Sequence, residues 1–372
     1  MKPTEDVYRK LQEHLDNMPV PFPATESGVE LRILKRLFTP EEAEIALALS
    51  ALPEPVERIH PRLKRTGISM EELERVLDGL VKKGSITGGK KRYSKAMLVI
   101  GMYEYQVDKI TGGMQQDFNQ YMEEGLAKEV LGAKTSQMRT IPINETVTFE
   151  RSVSSFDNVR DLIKSSEGPF AARNCVCRQG MDALDQPCKQ TDLRRVCLML
   201  KGTAKASVDS GLAEPLTREE TFKLLDQAED VGMILQPENT QDPHYICLCC
   251  GCCCGVLTSA KLFPKPSEYF HNNYYAVVDP ELCTECGTCE DRCQMEAISS
   301  GDDHSEVDLE RCIGCGMCVV TCPSDAVTLK KKEAETVPPE TTNKLYKQIM
   351  KERFGTLGLL KIAGKAALGK KI

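Results

Sequence analysis

Eight cysteines near the C-terminal end of the 372-residue chain fall into two runs of identical spacing. The runs are Cys283-x2-Cys286-x2-Cys289-x3-Cys293 and Cys312-x2-Cys315-x2-Cys318-x3-Cys322. A loop with this triple spacing can place three thiolates on three corners of an iron–sulfur cube, and the fourth cysteine then reaches the cube of the other run. Zinc sites instead use cysteine pairs that a long spacer separates. The spacing therefore predicts iron–sulfur chemistry.

The two runs are halves of an internal repeat with an offset of 29 residues, in which Asp279 matches Asp308 and Gly287 matches Gly316. Residues 276–330 resemble bacterial-type ferredoxins, whose (βαβ)2 fold carries two [4Fe–4S] clusters. By that resemblance one cluster is held by Cys283, Cys286, Cys289 and Cys322, and the other by Cys312, Cys315, Cys318 and Cys293. Gln294 stands where the family often has proline, whereas Pro323 is kept.

Ten further cysteines lie in the middle of the chain, and six of them fall within eight residues. So dense a group needs a partner for its sulfurs, because only single buried thiols serve as core filler. Further iron–sulfur ligation, a four-thiolate zinc ion and redox-active thiols are the three alternatives. The candidate ligands are Cys175, Cys177, Cys188, Cys197, Cys247, Cys249, Cys250, Cys252, Cys253 and Cys254.

The run from Cys247 to Cys254 suggests two sites. If this run is helical, Cys249, Cys252 and Cys253 share one face, while Cys247, Cys250 and Cys254 share another. Adjacent side chains point apart, so neither the pair Cys249 and Cys250 nor the pair Cys253 and Cys254 is expected to serve one small site. With this middle region, the whole chain resembles multidomain iron–sulfur proteins of anaerobes, a resemblance that implies metal content and no particular activity.

Residues 29–100 have the element order of a winged helix-turn-helix. Thr39-Pro40-Glu41-Glu42 predicts a capped helix that ends near Leu52, and a short helix is expected within 57–65. Ser69 caps a third helix, Met70–Lys83, and a two-stranded wing with a turn at Gly88-Gly89 follows. Lys90, Lys91 and Arg92 on the wing favour phosphate contacts, but Glu71, Glu72 and Glu74 at the start of the third helix oppose them. The charges favour protein docking over DNA binding.

The sequence therefore predicts an α+β fold in five parts. They are a winged-helix-like module (1–100), an α/β connecting segment (101–170), a cysteine-rich metal-binding domain (171–266), a two-[4Fe–4S] ferredoxin domain (267–332) and a basic amphipathic tail (333–372). Within the connecting segment, Met138–Ile143 and Glu145–Phe149 are predicted strands.

The cysteine content and the polar N-terminal segment predict that the protein is cytoplasmic. Eighteen cysteines in a secreted protein would suggest disulfides, but the polar segment 1–10 is no secretory signal. No apolar stretch approaches the roughly 18 residues that a membrane span needs.

Charge is unevenly distributed near the C-terminus. Residues 279–310 contain eleven acidic side chains and one basic one, which would attract a positively charged redox partner. Residues 330–372 contain eleven basic and four acidic side chains. With its apolar residues, this tail could contact a partner or a membrane surface.

These features predict an electron-transfer protein, or an electron-transfer subunit of an anaerobic oxidoreductase complex, that passes single electrons through [4Fe–4S] clusters. No catalytic residue is predicted, since the sequence lacks flavin, nicotinamide and pterin signatures. The expected partner is a flavin- or metal-containing oxidoreductase. The alternatives are a redox-sensing winged-helix transcriptional regulator and an enzyme with an unusual metal cluster in the middle domain.

Overall fold

The computed structural model describes residues 3–143, 154–367 and 371, so the predicted strand Glu145–Phe149 lies outside the described residues. The chain divides into two compact units. Unit 1 comprises Met1–Val130, Gln179–Gln186 and Lys347–Ile372, and unit 2 comprises Leu131–Arg178 and Pro187–Tyr346. The five-part division of the sequence stays a prediction, whereas the mixture of helices and antiparallel sheets agrees with an α+β fold.

Unit 1 is mainly helical and carries one small antiparallel sheet of order β1-β3-β2. The strands are β1 (Glu54–Pro55), β2 (Ile86–Gly89) and β3 (Arg92–Lys95). The helices are α1 (Pro3–Asp16), α2 (Val29–Leu37), α3 (Pro40–Ala46), α4 (Val56–Ile59), α5 (Met70–Lys83), α6 (Gly112–Tyr121) and α7 (Ala127–Leu131), with a 3₁₀ helix at His60–Thr66.

Helix α3 begins where the sequence predicts and ends earlier. The side chain of Thr39 accepts a hydrogen bond from the backbone of Glu42, and Glu42 accepts one from the backbone of Thr39, which forms the expected capping box. The helix ends at Ala46 instead of near Leu52. Pro53 disfavours helical backbone at the preceding residue, and the carbonyl of Ser50 accepts a hydrogen bond from the backbone of Lys95 beside the sheet.

Helix α5 has the predicted bounds, with Ser69 as its N-cap and Gly84 in left-handed backbone at its end. The turn after it differs from the prediction. Gly88 and Gly89 belong to β2, and the turn residues are Lys90 (φ 50°) and Lys91 (φ 62°). Two consecutive residues with left-handed backbone give this turn the twist that a two-residue hairpin favours.

Unit 2 contains a five-stranded antiparallel sheet of order β6-β4-β5-β8-β7. Its strands are β4 (Phe170–Arg173), β5 (Cys197–Leu200), β6 (Glu214–Leu216), β7 (Ile234–Pro237) and β8 (Tyr245–Cys249). The accompanying helices are α8 (Val159–Ser165), α9 (Val176–Asp182, which continues into unit 1), α10 (Lys201–Asp209), α11 (Arg218–Asp230) and α12 (Gly255–Ala260). The predicted strand Met138–Ile143 makes isolated bridges from Met138 to Glu238 and from Ile141 to Leu235.

In the ferredoxin-like part of unit 2, the two halves of the internal repeat make equivalent backbone contacts. Strand β9 (Tyr274–Val278) pairs with β12 (Val327–Lys331), and β10 (Ile298–Ser300) pairs with β11 (Ser305–Val307). The backbone of Asp279 donates to Ala326, and the equivalent Asp308 donates to Ala297. Helix α13 (Thr288–Arg292) lies within the first cysteine run and contains Cys289, whereas turns occupy the equivalent residues of the second run. The (βαβ)2 pattern is therefore complete in its strands and has an α-helix in the first half.

Much of the basic tail forms helix α14 (Thr342–Ala367), which left-handed backbone at Gly355 interrupts. In unit 1, the Arg353 guanidinium donates to the backbone carbonyls of Asp16 (2.6 Å) and Met18 (2.5 Å), while Leu357 and Leu360 are exposed. Of the helices described, none has the length and apolarity that crossing a bilayer would take.

Candidate metal centres

Four of the ferredoxin-type cysteines meet around one cavity. Cys293, Cys312, Cys315 and Cys318 line a space of about 360 Å³ together with apolar residues such as Ile313. These are the four cysteines that the resemblance assigns to one cluster, and Cys293 reaches them from the other run. Burial raises the pKa of Cys315 to about 12, so metal binding would have to displace its proton.

The other assigned set lies nearer the surface. Cys289 is buried, with its sulfur 3.4 Å from the Ser305 hydroxyl, whereas Cys286 is exposed. Cys283 and Cys322 are half-buried. Cys286 therefore puts one member of this set at the surface of the domain.

Backbone amides point at two of the ferredoxin-type sulfurs. The amide of Ala276 donates to Cys312 Sγ at 3.5 Å, and that of Ala297 donates to Cys293 Sγ at 3.2 Å. Hydrogen bonds to ligand sulfur stabilise the more reduced, more negative state of an iron–sulfur cluster and so raise its reduction potential.

Four middle cysteines converge on a single point. Cys188 Sγ lies 3.6 Å from Cys250 Sγ and 3.7 Å from Cys252 Sγ, and Cys252 Sγ lies 3.6 Å from those of both Cys250 and Cys253. All four sulfurs are within 4.8 Å of one another. We call this set the four-thiol group. Its donor type and spacing fit a tetrahedral thiophilic metal ion.

The six remaining middle cysteines form a second, separate series in which the thiol of each interacts electrostatically with that of the next. We call this set the six-thiol group. Cys197 on β5 lies directly opposite Cys247 on β8, and Cys249 is on the same face of β8 two residues later. Cys254 caps α12. In order, the series is Cys175, Cys177, Cys254, Cys249, Cys247 and Cys197.

The helical assumption for the Cys247–Cys254 run is wrong, and with it the two predicted helix faces. Residues Tyr245–Cys249 form β8, and a turn follows in which Cys254 donates a backbone hydrogen bond to Cys250 at 3.1 Å. The strand holds Cys247 and Cys249 in one group, while the turn brings Cys250, Cys252 and Cys253 into the other. The neighbours Cys249 and Cys250 fall in different groups, as expected from their opposed side chains, and so do Cys253 and Cys254.

A buried arginine lies beside both groups. Arg178 is 1% exposed and donates one hydrogen bond to the Leu248 carbonyl at 3.1 Å. Among the described residues no oxygen accepts from its Nε or Nη2 atoms. Its charge instead faces sulfur, since Cys175, Cys250 and Cys188 all raise the pKa of Arg178. A buried guanidinium without a carboxylate needs other negative charge nearby, and metal-bound thiolates would provide it.

The electrostatics of Cys250 agree with a ligand that ionises readily. The pKa of Cys250 is lowered to about 4, mainly by a hydrogen bond from Cys253 and in part by the Arg178 charge, against the opposing effect of burial. In the six-thiol group, the buried Arg173 side chain lies near Cys197. Each arginine thus places a positive charge beside a cysteine, and such a charge favours the ionised thiolate.

Gln294, the residue that departs from the ferredoxin pattern, joins the two cysteine-rich parts of unit 2. Its Oε1 accepts a hydrogen bond from the backbone of Gly251 at 2.5 Å, and its Nε2 donates to the Gly232 carbonyl. Gly251 stands between two members of the four-thiol group, and Gln294 follows Cys293. A Cβ at Gly251 would lie 2.4 Å from the Gln294 carbonyl oxygen, so only glycine fits there.

Sequence reasoning did not find the roles of Arg178 and Gln294. The signals were nevertheless visible, because Arg178 directly follows the Cys175-Val176-Cys177 motif and Gln294 replaces a family proline. Neither signal identifies the hydrogen-bond partner, since the partners of both residues are 43 to 70 positions away in the sequence.

The family comparison agrees with the C-terminal geometry. Residues 275–337 match the model of the 4Fe-4S dicluster domain. No curated protein and no solved structure matches the chain. The C-terminal part of this protein is therefore a ferredoxin-type iron–sulfur domain, in the class of modules that transfer electrons through [4Fe–4S] clusters.

Proposed function

We propose that this chain is an iron–sulfur electron-transfer protein whose two C-terminal clusters each carry one electron at a time. The observation that carries the proposal is the doubled cysteine run, with its dicluster family match and the cavity that brings Cys293 to Cys312, Cys315 and Cys318. Bound iron–sulfur clusters would supply the one-electron chemistry. The protein's own residues would hold the clusters, exclude water and donate amide hydrogen bonds to the sulfurs.

We further propose that the six-thiol group of the middle domain binds an additional iron–sulfur cluster. Six sulfurs exceed the four that a single tetrahedral ion takes, and their extended series suits a polynuclear centre. The group belongs to the same unit as the ferredoxin-type domain. Arg173 and Arg178 would offset the negative charge of its thiolates.

The proposed physiological partner is a flavin- or metal-containing oxidoreductase. It would approach the acidic surface of residues 279–310, where opposite charge speeds association at low ionic strength. The N-terminal module, proposed to be a winged helix, would add a docking surface, and the basic tail could add another contact. The proposed location is the cytoplasm, where thiols stay reduced.

A matched pair of cysteine variants tests the cluster assignment. Cys286→Ser should remove the electron paramagnetic resonance signal of one reduced cluster, and Cys315→Ser that of the other, because each residue belongs to a different assigned set. Cys286 is exposed and Cys315 is half-buried, so the first variant should also perturb stability less. If neither substitution changes the spectrum of the dithionite-reduced, full-length protein, the two-cluster proposal is wrong.

A further inference from the structure

We infer that the four-thiol group binds one tetrahedrally coordinated metal ion, zinc or iron, as a site separate from every iron–sulfur cluster of the chain. Four sulfur–sulfur separations among Cys188, Cys250, Cys252 and Cys253 are 3.6–3.7 Å, and all are within 4.8 Å, as in a closed single-ion site. This inference goes beyond the proposed electron transfer and does not depend on it.

The sulfur spacing agrees with the size of a single ion. In a tetrahedral site the metal–sulfur bond is about 2.3 Å, and simple geometry then sets neighbouring sulfurs about 3.8 Å apart. The four observed separations are within 0.2 Å of that value. The loop therefore already holds the sulfurs close to the spacing that a single ion would impose.

A cube would need a different arrangement. In a [4Fe–4S] cluster each thiolate binds its own iron, so the whole inorganic core stands between the ligand sulfurs. Cys293, Cys312, Cys315 and Cys318 are spaced more widely, since they line one pocket and no three of their sulfurs lie within 4.8 Å of one another. The four-thiol group instead closes on itself, with three of its members buried. The protein thus contains two kinds of four-cysteine arrangement, one open and one closed.

The backbone fixes the closed arrangement. Three of the sulfurs come from the turn Cys250-Gly251-Cys252-Cys253, whose central glycine is held by the Gln294 side chain. Cys188 arrives from the loop after α9, where Asp185 adopts left-handed backbone (φ 57°). Four thiolates around a divalent ion carry a net charge of about −2, and the buried guanidinium of Arg178 lies beside Cys188 and Cys250 to offset part of it.

The ion can be identified in the unaltered, full-length protein. Anaerobically purified chain should contain one zinc whose X-ray absorption spectrum shows four sulfur neighbours at about 2.3 Å. If the native ion is iron, zinc is absent and the oxidised protein shows the high-spin ferric resonance of a mononuclear four-thiolate iron site. Either result supports the inference. Protein that shows neither signal would overturn it.

Paired variants then locate the ion. Cys252→Ser, at the most exposed member of the group, should lower the ion content from one per chain to well under half and leave acid-labile sulfide unchanged. Cys286→Ser, in the ferredoxin-type domain, should lower sulfide and leave the single ion in place. Loss of four iron and four sulfide from Cys252→Ser would show a cube at this position and contradict the inference, as would a Cys252→Ser protein that keeps the full ion content.

Discussion

At the scale of single residues, Gln294 explains how a departure from the ferredoxin pattern can be useful. A proline at this position lacks the side-chain amide that accepts from Gly251 and donates to Gly232. The two hydrogen bonds attach the residue after Cys293 to the turn that carries Cys250 and Cys252. Glutamine in place of the family's proline thus links two cysteine-containing segments that lie more than forty residues apart in the sequence.

Gln294→Ala should destabilise the protein by about 1–3 kcal/mol, because two partly buried backbone groups lose their partners. It should also lower the affinity of the four-thiol group for its single ion by roughly tenfold, since the loss of supporting contacts around metal ligands has effects of this size. Chemical denaturation and competition with a zinc chelator measure the two effects. Pro323→Ala, at the equivalent exposed position of the second run, should leave the ion affinity unchanged; an equal loss in both variants would contradict the role of Gln294.

At the scale of helices and strands, local signals predicted well and long-range pairing did not. Helix α5 follows from its cap Ser69, which acts within four residues. Strand β8 was not predicted, because its extended backbone depends on pairing with β5 about fifty residues earlier. The division of the middle cysteines into two groups depends on that same pairing, so cysteine spacing alone could not reveal it.

The wing that follows α5 presents less free positive charge than its sequence suggests. Lys91 pairs with Glu74 of α5 at 3.0 Å, and the Arg92 guanidinium donates to the Pro53 carbonyl at 2.6 Å. The carboxylates of Glu71 and Glu72 lie in the first turn of α5. Two of the three basic residues of the wing are therefore engaged in contacts within unit 1.

We therefore expect the full-length, cluster-loaded protein to bind its own upstream DNA weakly and without sequence preference. Its affinity should be micromolar or weaker at physiological salt and should fall further as salt increases, as for contacts with phosphate alone. Fluorescence anisotropy against a scrambled duplex measures both properties. Nanomolar, sequence-specific binding that changes between oxidised and reduced protein would instead support the redox-sensing regulator.

At the scale of the whole molecule, unit 2 concentrates all eighteen cysteines, and unit 1 contains none. The dicluster domain could be predicted almost completely from sequence, because its ligand spacing is dictated by the cluster. The middle domain could not, because ten cysteines allow many groupings and the sheet decides among them. Our proposals place three kinds of centre in one unit: two cubes, a cluster in the six-thiol group and a single ion in the four-thiol group.

The most direct test of this account is the count of iron and acid-labile sulfide in anaerobically purified, full-length protein. Two cubes require about eight iron and eight sulfide per chain, and a further cluster in the six-thiol group raises both numbers. The account predicts more than eight of each, with the electron paramagnetic resonance of reduced [4Fe–4S] clusters. Stoichiometric zinc without sulfide would contradict it.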